Sequence, residues 1–389
     1  MKQVITGNSA SAYGAKLARV DVIAAYPITP QTTIVETIAT MVANGEFDTQ
    51  FVKVESEHSA MAACISACNV GARAYTASSS HGMLLMHEML IWASGARTPV
   101  VMSNVNRANG PPWSVWADHH DAMAQRDTGW MQIYCSDNQE VLDTILMAYK
   151  VGEKKHIMLP SMVLEDAFIL SHTMEPVDIP DQDVVDAFLP KFESDSILDV
   201  DNPKGFGSLV MPEQYLEFRY KIAKAMDDAR NELRTVYKEF EETFGRRYDM
   251  LELYKCDDAD AVLMIAGSVA STAMDVVDSL RARGHRVGLA RIRVFRPFPY
   301  EEIRDLAKKV NTIGVCDRSY TFGYGGGMAA EIKGALYGSS APVIKNYIMG
   351  LGGRDVTPEV LERLYMDILD VKEKGLDHEI QWIDVLGVE

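Results

Sequence analysis

Along the first 170 or so residues, short apolar runs alternate with stretches whose apolar positions recur at helical spacing. The runs are VDVIAAY (20–26), FVKVES (51–56), ARAYTASS (72–79), PVVMSNV (99–105), MQIYCS (131–136) and HIMLPSMVL (156–164). Helical patterns fill the gaps near 9–19, 31–44, 58–69, 82–96 and 138–151. Several runs are too continuously apolar for strands with one wet face. They predict a parallel sheet covered on both sides by helices.

The pattern then changes. Residues 173–212 are rich in Asp and Pro and show little periodicity, which predicts a linker or extended arm. A long charged helix is predicted over 213–242. A second alternating set follows, with strands at VLMIAGS (262–268), RVGLARIRVF (286–295), NTIGVCD (311–317) and PVIKNYIM (342–349), and helices near 270–283, 300–309, 326–337 and 358–371. The expected fold class is α/β: two doubly wound domains, 1–172 and 257–389, joined by an arm and long helix over 173–256.

Composition narrows the function. A chain of 389 residues has ample length for large cores. With 38 basic against 55 acidic residues, the net charge of −17 argues against a nucleic-acid backbone as partner. Five scattered cysteines, with no CxxC pair, predict reduced thiols and a cytoplasmic location. The opening MKQVITGNSA lacks the apolar core of a signal peptide, and no run of about 18 apolar residues predicts a membrane span.

In open parallel sheets, ligands sit beyond the carboxyl ends of the strands. The residues following successive first-domain strands are Pro27-Ile28-Thr29-Pro30, Glu55-Ser56-Glu57-His58, Ser78-Ser79-Ser80-His81-Gly82 and Asn104-Val105-Asn106-Arg107. Together they offer a hydroxyl, carboxylates, a serine run and a guanidinium. That set suits a small anionic substrate beside a cofactor that needs one acidic contact. Each member also has a plainer reading. Thr29 and Pro30 match a capping residue and first position of a helix. Glu57 matches a helix-dipole partner, the serines match an N-cap cluster, and Arg107 matches a surface arginine. Their recurrence at successive strand ends favours the functional reading.

Other motifs carry less. Asp118-His119-His120-Asp121 invites a metal reading, but adjacent histidines point to different sides of one element. Cys64 and Cys68, four apart on a helix, read as core. GYGGG (323–327) opens a helix without the GxGxxG order of a dinucleotide site. GLGGRDV (350–356) is a flexible glycine turn of no evident role.

At YPITPQT, VESEHSAM and NRANGPPWSVWADHHDAMAQRDTGW the chain resembles the α chain of 2-oxoacid:ferredoxin oxidoreductases, nearest the pyruvate:ferredoxin oxidoreductase (pyruvate synthase) branch. The likeness continues through LPKFESDS, MPEQYLEFRYKIAKAMD, RIRVFRPFP, CDRSYTFGYGGG and GLGGRDVTPE, and so covers nearly the whole chain. It implies a pyrimidine-binding domain of thiamine-diphosphate enzymes followed by a transketolase C-terminal-like domain. It also implies coenzyme A-dependent oxidative decarboxylation of a 2-oxoacid to acyl-CoA and CO2, with electrons passed to ferredoxin.

By motif, Glu57 matches the glutamate that bonds to the aminopyrimidine ring and promotes its imino tautomer. Thr29 matches a threonine beside the substrate, and Arg107 an arginine that holds the substrate carboxylate. A guanidinium meets a carboxylate in two parallel hydrogen bonds that a lysine cannot copy. The two prolines flanking Thr29 would then stiffen the loop that presents its hydroxyl.

No Gly-Asp-Gly metal motif and no cysteine cluster for a [4Fe–4S] centre occurs in the chain. The resemblance therefore implies a β chain that brings the diphosphate–Mg²⁺ site and a cluster, with γ and δ chains completing the enzyme. Pyruvate is the expected substrate. Pro111, Pro112 and Trp113 stand where the pyruvate branch carries small residues, so a bulkier or aromatic 2-oxoacid such as phenylglyoxylate is the alternative. Threonine rather than arginine at position 29 speaks against oxalate. A glycine fingerprint after the first strand, needed by a nicotinamide-linked oxidoreductase, is missing. A non-catalytic scaffold subunit would leave Thr29, Glu57 and Arg107 apart.

Overall fold

The computed structural model describes residues 1–338 and 342–387. The first half runs β1 (Lys2–Thr6), α1 (Gly7–Leu17), β2 (Val22–Ala25), α2 (Thr32–Ala43), β3 (Gln50–Lys53), α3 (Glu57–Asn69), β4 (Ala74–Ser78), α4 (Ser80–Leu85), α5 (His87–Gly95), β5 (Val101–Asn106), α6 (His120–Met123), β6 (Met131–Tyr134), α7 (Asn138–Gly152) and β7 (Ser161–Asp166). Next come β8 (Met174–Asp178), α8 (Gln182–Phe188) and α9 (Pro212–Phe244). The remainder is β9 (Leu251–Tyr254), β10 (Ala261–Ile265), α10 (Val269–Ala282), β11 (Val287–Ile292), β12 (Val294–Arg296), α11 (Tyr300–Ala307), β13 (Thr312–Asp317), α12 (Gly327–Leu336), β14 (Val343–Ile348), α13 (Pro358–Lys374) and β15 (Ile380–Trp382).

Two main sheets result, in the orders β12-β6-β7-β5-β4-β2-β3 and β15-β14-β13-β10-β11-β9. All neighbours are parallel except β12 on β6 and β9 on β11. The strands that read as continuously apolar, such as β4, β5, β7 and β10, are buried along their whole length. The local signals behave as capping chemistry requires. Ser56 and Asp137 accept from the backbone N–H three residues on, opening α3 and α7. Pro212 starts α9, and Gly245 at φ 71° ends it.

Three features differ from the sequence expectation. The arm is partly regular: β8 pairs antiparallel with the unexpected β1, and α8 follows. RVGLARIRVF is two strands rather than one. Its first part, β11, lies in the second sheet, whereas Val294–Arg296 crosses over to pair with β6 in the first. β9, within the segment read as linker, pairs with β11. Edge strands of three to five residues carry too little periodicity to stand out from loop sequence.

The crossing welds the two sheets. One apolar cluster runs from Met61, Leu90, Trp130 and Tyr134 to Val262, Ile292, Phe295 and Ile332. Polar ties flank it. Arg291 and Arg293 converge on buried Glu140 at the start of α7, with Arg291 Nη1 2.7 Å from Oε2. Burial alone would raise the Glu140 carboxyl, but the two guanidinium groups hold it at about 2. Arg293 lies between the rings of Tyr237 and Tyr248, 4.7 and 4.4 Å from their centroids.

Candidate active site

The loop after β2 is held at every turn. Arg107 Nη1 donates to the Thr29 carbonyl at 2.6 Å. Asn8, on α1, donates to the Pro30 carbonyl at 2.7 Å. Gln31 is fully buried; its Oε1 accepts the Ile28 N–H at 3.2 Å, and its Nε2 donates to the Ala77 carbonyl at the end of β4. Thr29 itself is exposed. It does not cap α2, because Gln31 occupies the N-cap position and no side-chain cap bond forms. The capping reading of Thr29 and Pro30 is therefore wrong, and the loop is fixed by three other residues with the threonine left facing outward.

Arg107 follows β5 and is buried. It has no ion pair among the described residues; with Nη1 engaged by Thr29, its buried Nε has no acceptor. Burial lowers its affinity for the proton, and Asp121 nearby pulls the other way. Its Cζ lies 5.7 Å from the ring centroid of Trp113, which is 66% exposed. A buried guanidinium with a spare N–H is a receptor for an anion, and a carboxylate fits its fork.

Glu57 is the first residue of α3 and only 5% exposed, yet its side chain makes no hydrogen bond or ion pair among the described residues. With no partner in the chain, the carboxyl is available to an incoming ring nitrogen. The wall facing it is Gly82. A Cβ there would lie 2.6 Å from Glu57 Oε1 and would collide with Ser78 Oγ. Ser78 Oγ is likewise buried without a partner. An aminopyrimidine ring would fit these unmet groups. By contrast Glu55, two residues earlier, is outside the core and accepts from Ser59 Oγ at 2.5 Å.

The serine run is not the cap cluster its sequence suggests. Ser79 stands at the N-cap of α4 without a side-chain cap bond; its hydroxyl donates to the Val105 carbonyl at 2.7 Å. Ser80, at φ 46°, donates to the Ala108 carbonyl at 2.6 Å. The serines thus tie the end of β4 to the end of β5. Leu84 and Leu85 just beyond are exposed, as are Tyr26, Trp113 and Trp116. Exposed apolar side chains thus lie on the same loops and helix as the site's polar groups.

The less promising motifs find structural places. His119 Nε2 meets Asp166 Oδ1 at 2.7 Å, and Asp166 Oδ2 accepts from Arg318 Nη1 at 2.8 Å and from Ser268 N at 2.9 Å, which latches the two sheets together. Asp118 accepts from the Gly352 N–H at 3.2 Å, and the Gly353 N–H donates to the Ala117 carbonyl at 2.8 Å. GLGGRDV therefore docks the second domain on the loop that follows Arg107. A Cβ at Gly353, where φ is 80°, would run into Trp116. In GYGGG, Asp317 already accepts the Met328 and Ala329 N–H groups at the start of α12, at 2.8 and 3.1 Å, so that helix end is satisfied from within. Cys64 and Cys68 are core residues. The sequence does not mark Asn8 or Gln31 as loop anchors: Asn8 lies in no recognisable motif, and Gln31, though within YPITPQT, carries no signal of its own there.

Known proteins resemble this chain along most of its length. Residues 13–238 match the family model of the thiamine diphosphate-binding domain of pyruvate flavodoxin/ferredoxin oxidoreductase, and 259–361 match core domain II of pyruvate:ferredoxin oxidoreductase. The chain is 53% identical over 386 residues to ketoisovalerate oxidoreductase subunit VorA of Pyrococcus horikoshii, covering 98% of each. It is 47% identical over 381 residues to pyruvate synthase subunit PorA of Methanothermobacter thermautotrophicus, covering 98% of this chain and 97% of that one. A 2-oxoglutarate:ferredoxin oxidoreductase from Magnetococcus marinus has the same fold, with a TM-score of 0.73 at 17% identity over 95% of this chain and 65% of that one. A split-gene transketolase shares it more loosely, with a TM-score of 0.53 at 11% identity over 95% and 100%. The chain belongs to the pyruvate flavodoxin/ferredoxin oxidoreductase family and is a subunit of a thiamine diphosphate-dependent 2-oxoacid:ferredoxin oxidoreductase.

Proposed function

We propose that Glu57, Thr29 and Arg107 form this chain's half of the active site, and that the substrate is a short 2-oxoacid, with 2-oxoisovalerate favoured. The observation that supports the site reading is the unpaired Arg107 guanidinium bonded to the Thr29 loop. When bound, thiamine diphosphate supplies the carbon nucleophile that attacks the 2-oxo carbon. Glu57 would meet a ring nitrogen of the aminopyrimidine and share a proton with it, which favours the imino tautomer. Arg107 orients the substrate carboxylate, and the Thr29 hydroxyl donates to a substrate oxygen.

Trp113 beside Arg107 offers an apolar surface to a branched side chain. The substrate preference also follows the relatives: those named ketoisovalerate oxidoreductase share 52–53% identity with this chain, and those named pyruvate synthase 46–48%. Pyruvate, the substrate expected from the sequence, is the second reading.

A partner chain of β type would cover the exposed apolar side chains and bring the diphosphate–Mg²⁺ site and a [4Fe–4S] cluster. Chains of γ and δ type would complete the electron path to ferredoxin, and coenzyme A would take up the acyl group. Five buried thiols with no disulfide fit a reducing cytoplasm.

The test is reduction of ferredoxin or a viologen by the purified complex with pyruvate, 2-oxoisovalerate, 2-oxoglutarate and phenylglyoxylate. A higher kcat/KM for 2-oxoisovalerate supports the preference, and a higher value for any other acid overturns it. A Glu57→Gln complex tests the site. Near-complete loss of kcat is expected, while Glu55→Gln retains most activity; equal behaviour of the two would refute the assignment.

A further inference from the structure

The sequence marks Asp118-His119-His120-Asp121 as a doubtful metal motif, and the last member has another use. Asp121 is fully buried on α6. Its Oδ2 accepts from the Ser80 N–H at 3.0 Å, from Asn104 Nδ2 at 3.2 Å and from the Arg107 N–H at 3.1 Å. Its Oδ1 accepts from Asn106 Nδ2 at 2.8 Å and from the Ala122 N–H at 2.7 Å. No cation pairs with it among the described residues.

The donors reveal the purpose. Asn104 and Asn106 are both fully buried, and their Oδ1 atoms have no partner, so their side-chain hydrogen bonds go to Asp121 alone. Two buried amides are thus committed to one carboxylate, an arrangement that a purely apolar core does not need. The Ser80 N–H comes from the turn at φ 46° that leads to Gly82, the residue facing Glu57. The Arg107 N–H comes from the residue that offers the guanidinium. A single carboxylate therefore pins two loops, one beside Glu57 and one carrying Arg107.

We infer that Asp121 is a positioning residue for substrate binding: it fixes the backbone of Arg107, and with it the direction of the guanidinium fork, without touching the substrate. This rests on Arg107 binding the substrate carboxylate. Asparagine has the same shape as aspartate but turns an NH₂ toward donors that now find an oxygen. The Arg107 loop should shift while the fold persists.

The experiment uses the assembled enzyme carrying Asp121→Asn, with Arg107→Lys in parallel. The expected result is a KM for the 2-oxoacid raised about tenfold or more, with kcat within a few-fold and the KM for coenzyme A unchanged. A merely structural role would lower thermal stability and leave the 2-oxoacid KM alone, or lower kcat with no such KM change; either result overturns the inference. If Asp121→Asn does not assemble, Asn106→Ala removes one donor and should raise the same KM several-fold; no change there also overturns it. If Arg107→Lys leaves the KM unchanged, the Arg107 reading fails and this inference with it. If Arg107→Lys raises the KM and Asp121→Asn does not, only the positioning role fails.

Discussion

Arg107 and Thr29, 78 positions apart, are joined by a hydrogen bond of 2.6 Å from the guanidinium to the threonine main-chain oxygen. The bond fixes the loop through its backbone and leaves the Thr29 side chain free. It also sets the geometry of Arg107, since with Nη1 occupied the remaining N–H groups define the fork that the proposed substrate carboxylate would meet.

Arg107→Lys should raise the KM for the 2-oxoacid by about tenfold to a hundredfold, because a charge-assisted contact is worth roughly 1.5–3 kcal/mol. Lysine loses both the fork and the bond to Thr29. Steady-state kinetics on the purified complex checks this, and a KM within twofold of wild type contradicts it.

Thr29→Val should cost only several-fold in KM if the hydroxyl merely binds, since one neutral hydrogen bond is worth about 1 kcal/mol. Thermal stability should be unchanged, because Thr29 caps no helix. A much larger drop in kcat would place the hydroxyl in the transition state instead. A fall in melting temperature with unchanged kinetics would show a structural role.

Gly82→Ala should damage catalysis through Glu57. The added methyl lies 2.6 Å from Glu57 Oε1, so the carboxyl must move. Loss of kcat by tenfold or more is expected, with a folded protein by circular dichroism. Full activity would mean that Glu57 tolerates displacement and does not contact the cofactor as proposed.

Glu165 predicts a pH effect on stability. It is buried on β7, its Oε2 has no partner, and burial raises its carboxyl to about 8, partly offset by a bond from Ser11. The folded chain then holds a proton that the unfolded chain loses above about 4.5. This group's contribution is fully present below that pH and is lost as pH rises toward 8. Glu165→Gln should therefore raise the melting temperature at pH 8 relative to wild type, with the gain shrinking toward pH 5. Equal melting temperatures at pH 8 would contradict this.

Much of the protein was legible in its sequence. Long periodic segments such as 213–242 and the buried strands at 72–79 and 262–268 read correctly, because burial on both faces and helical spacing impose patterns that local sequence carries. The placing of Thr29, Glu57 and Arg107 just after successive strands was legible as well, because a parallel sheet sets its strand ends along one edge wherever the chain goes between them. What the sequence could not say was how those ends are held. Asp121 looks like half of a metal motif, Asn8 like any helix residue, and Ser80 like a cap. Their loop-pinning partners lie 14 to 41 positions away and are brought close only by the sheet. The crossing of Val294–Arg296 to the first sheet was equally hidden. Ile292 and Val294 read as one apolar run, and only the packing of the two sheets against each other decides that the chain must change sheets at Arg293.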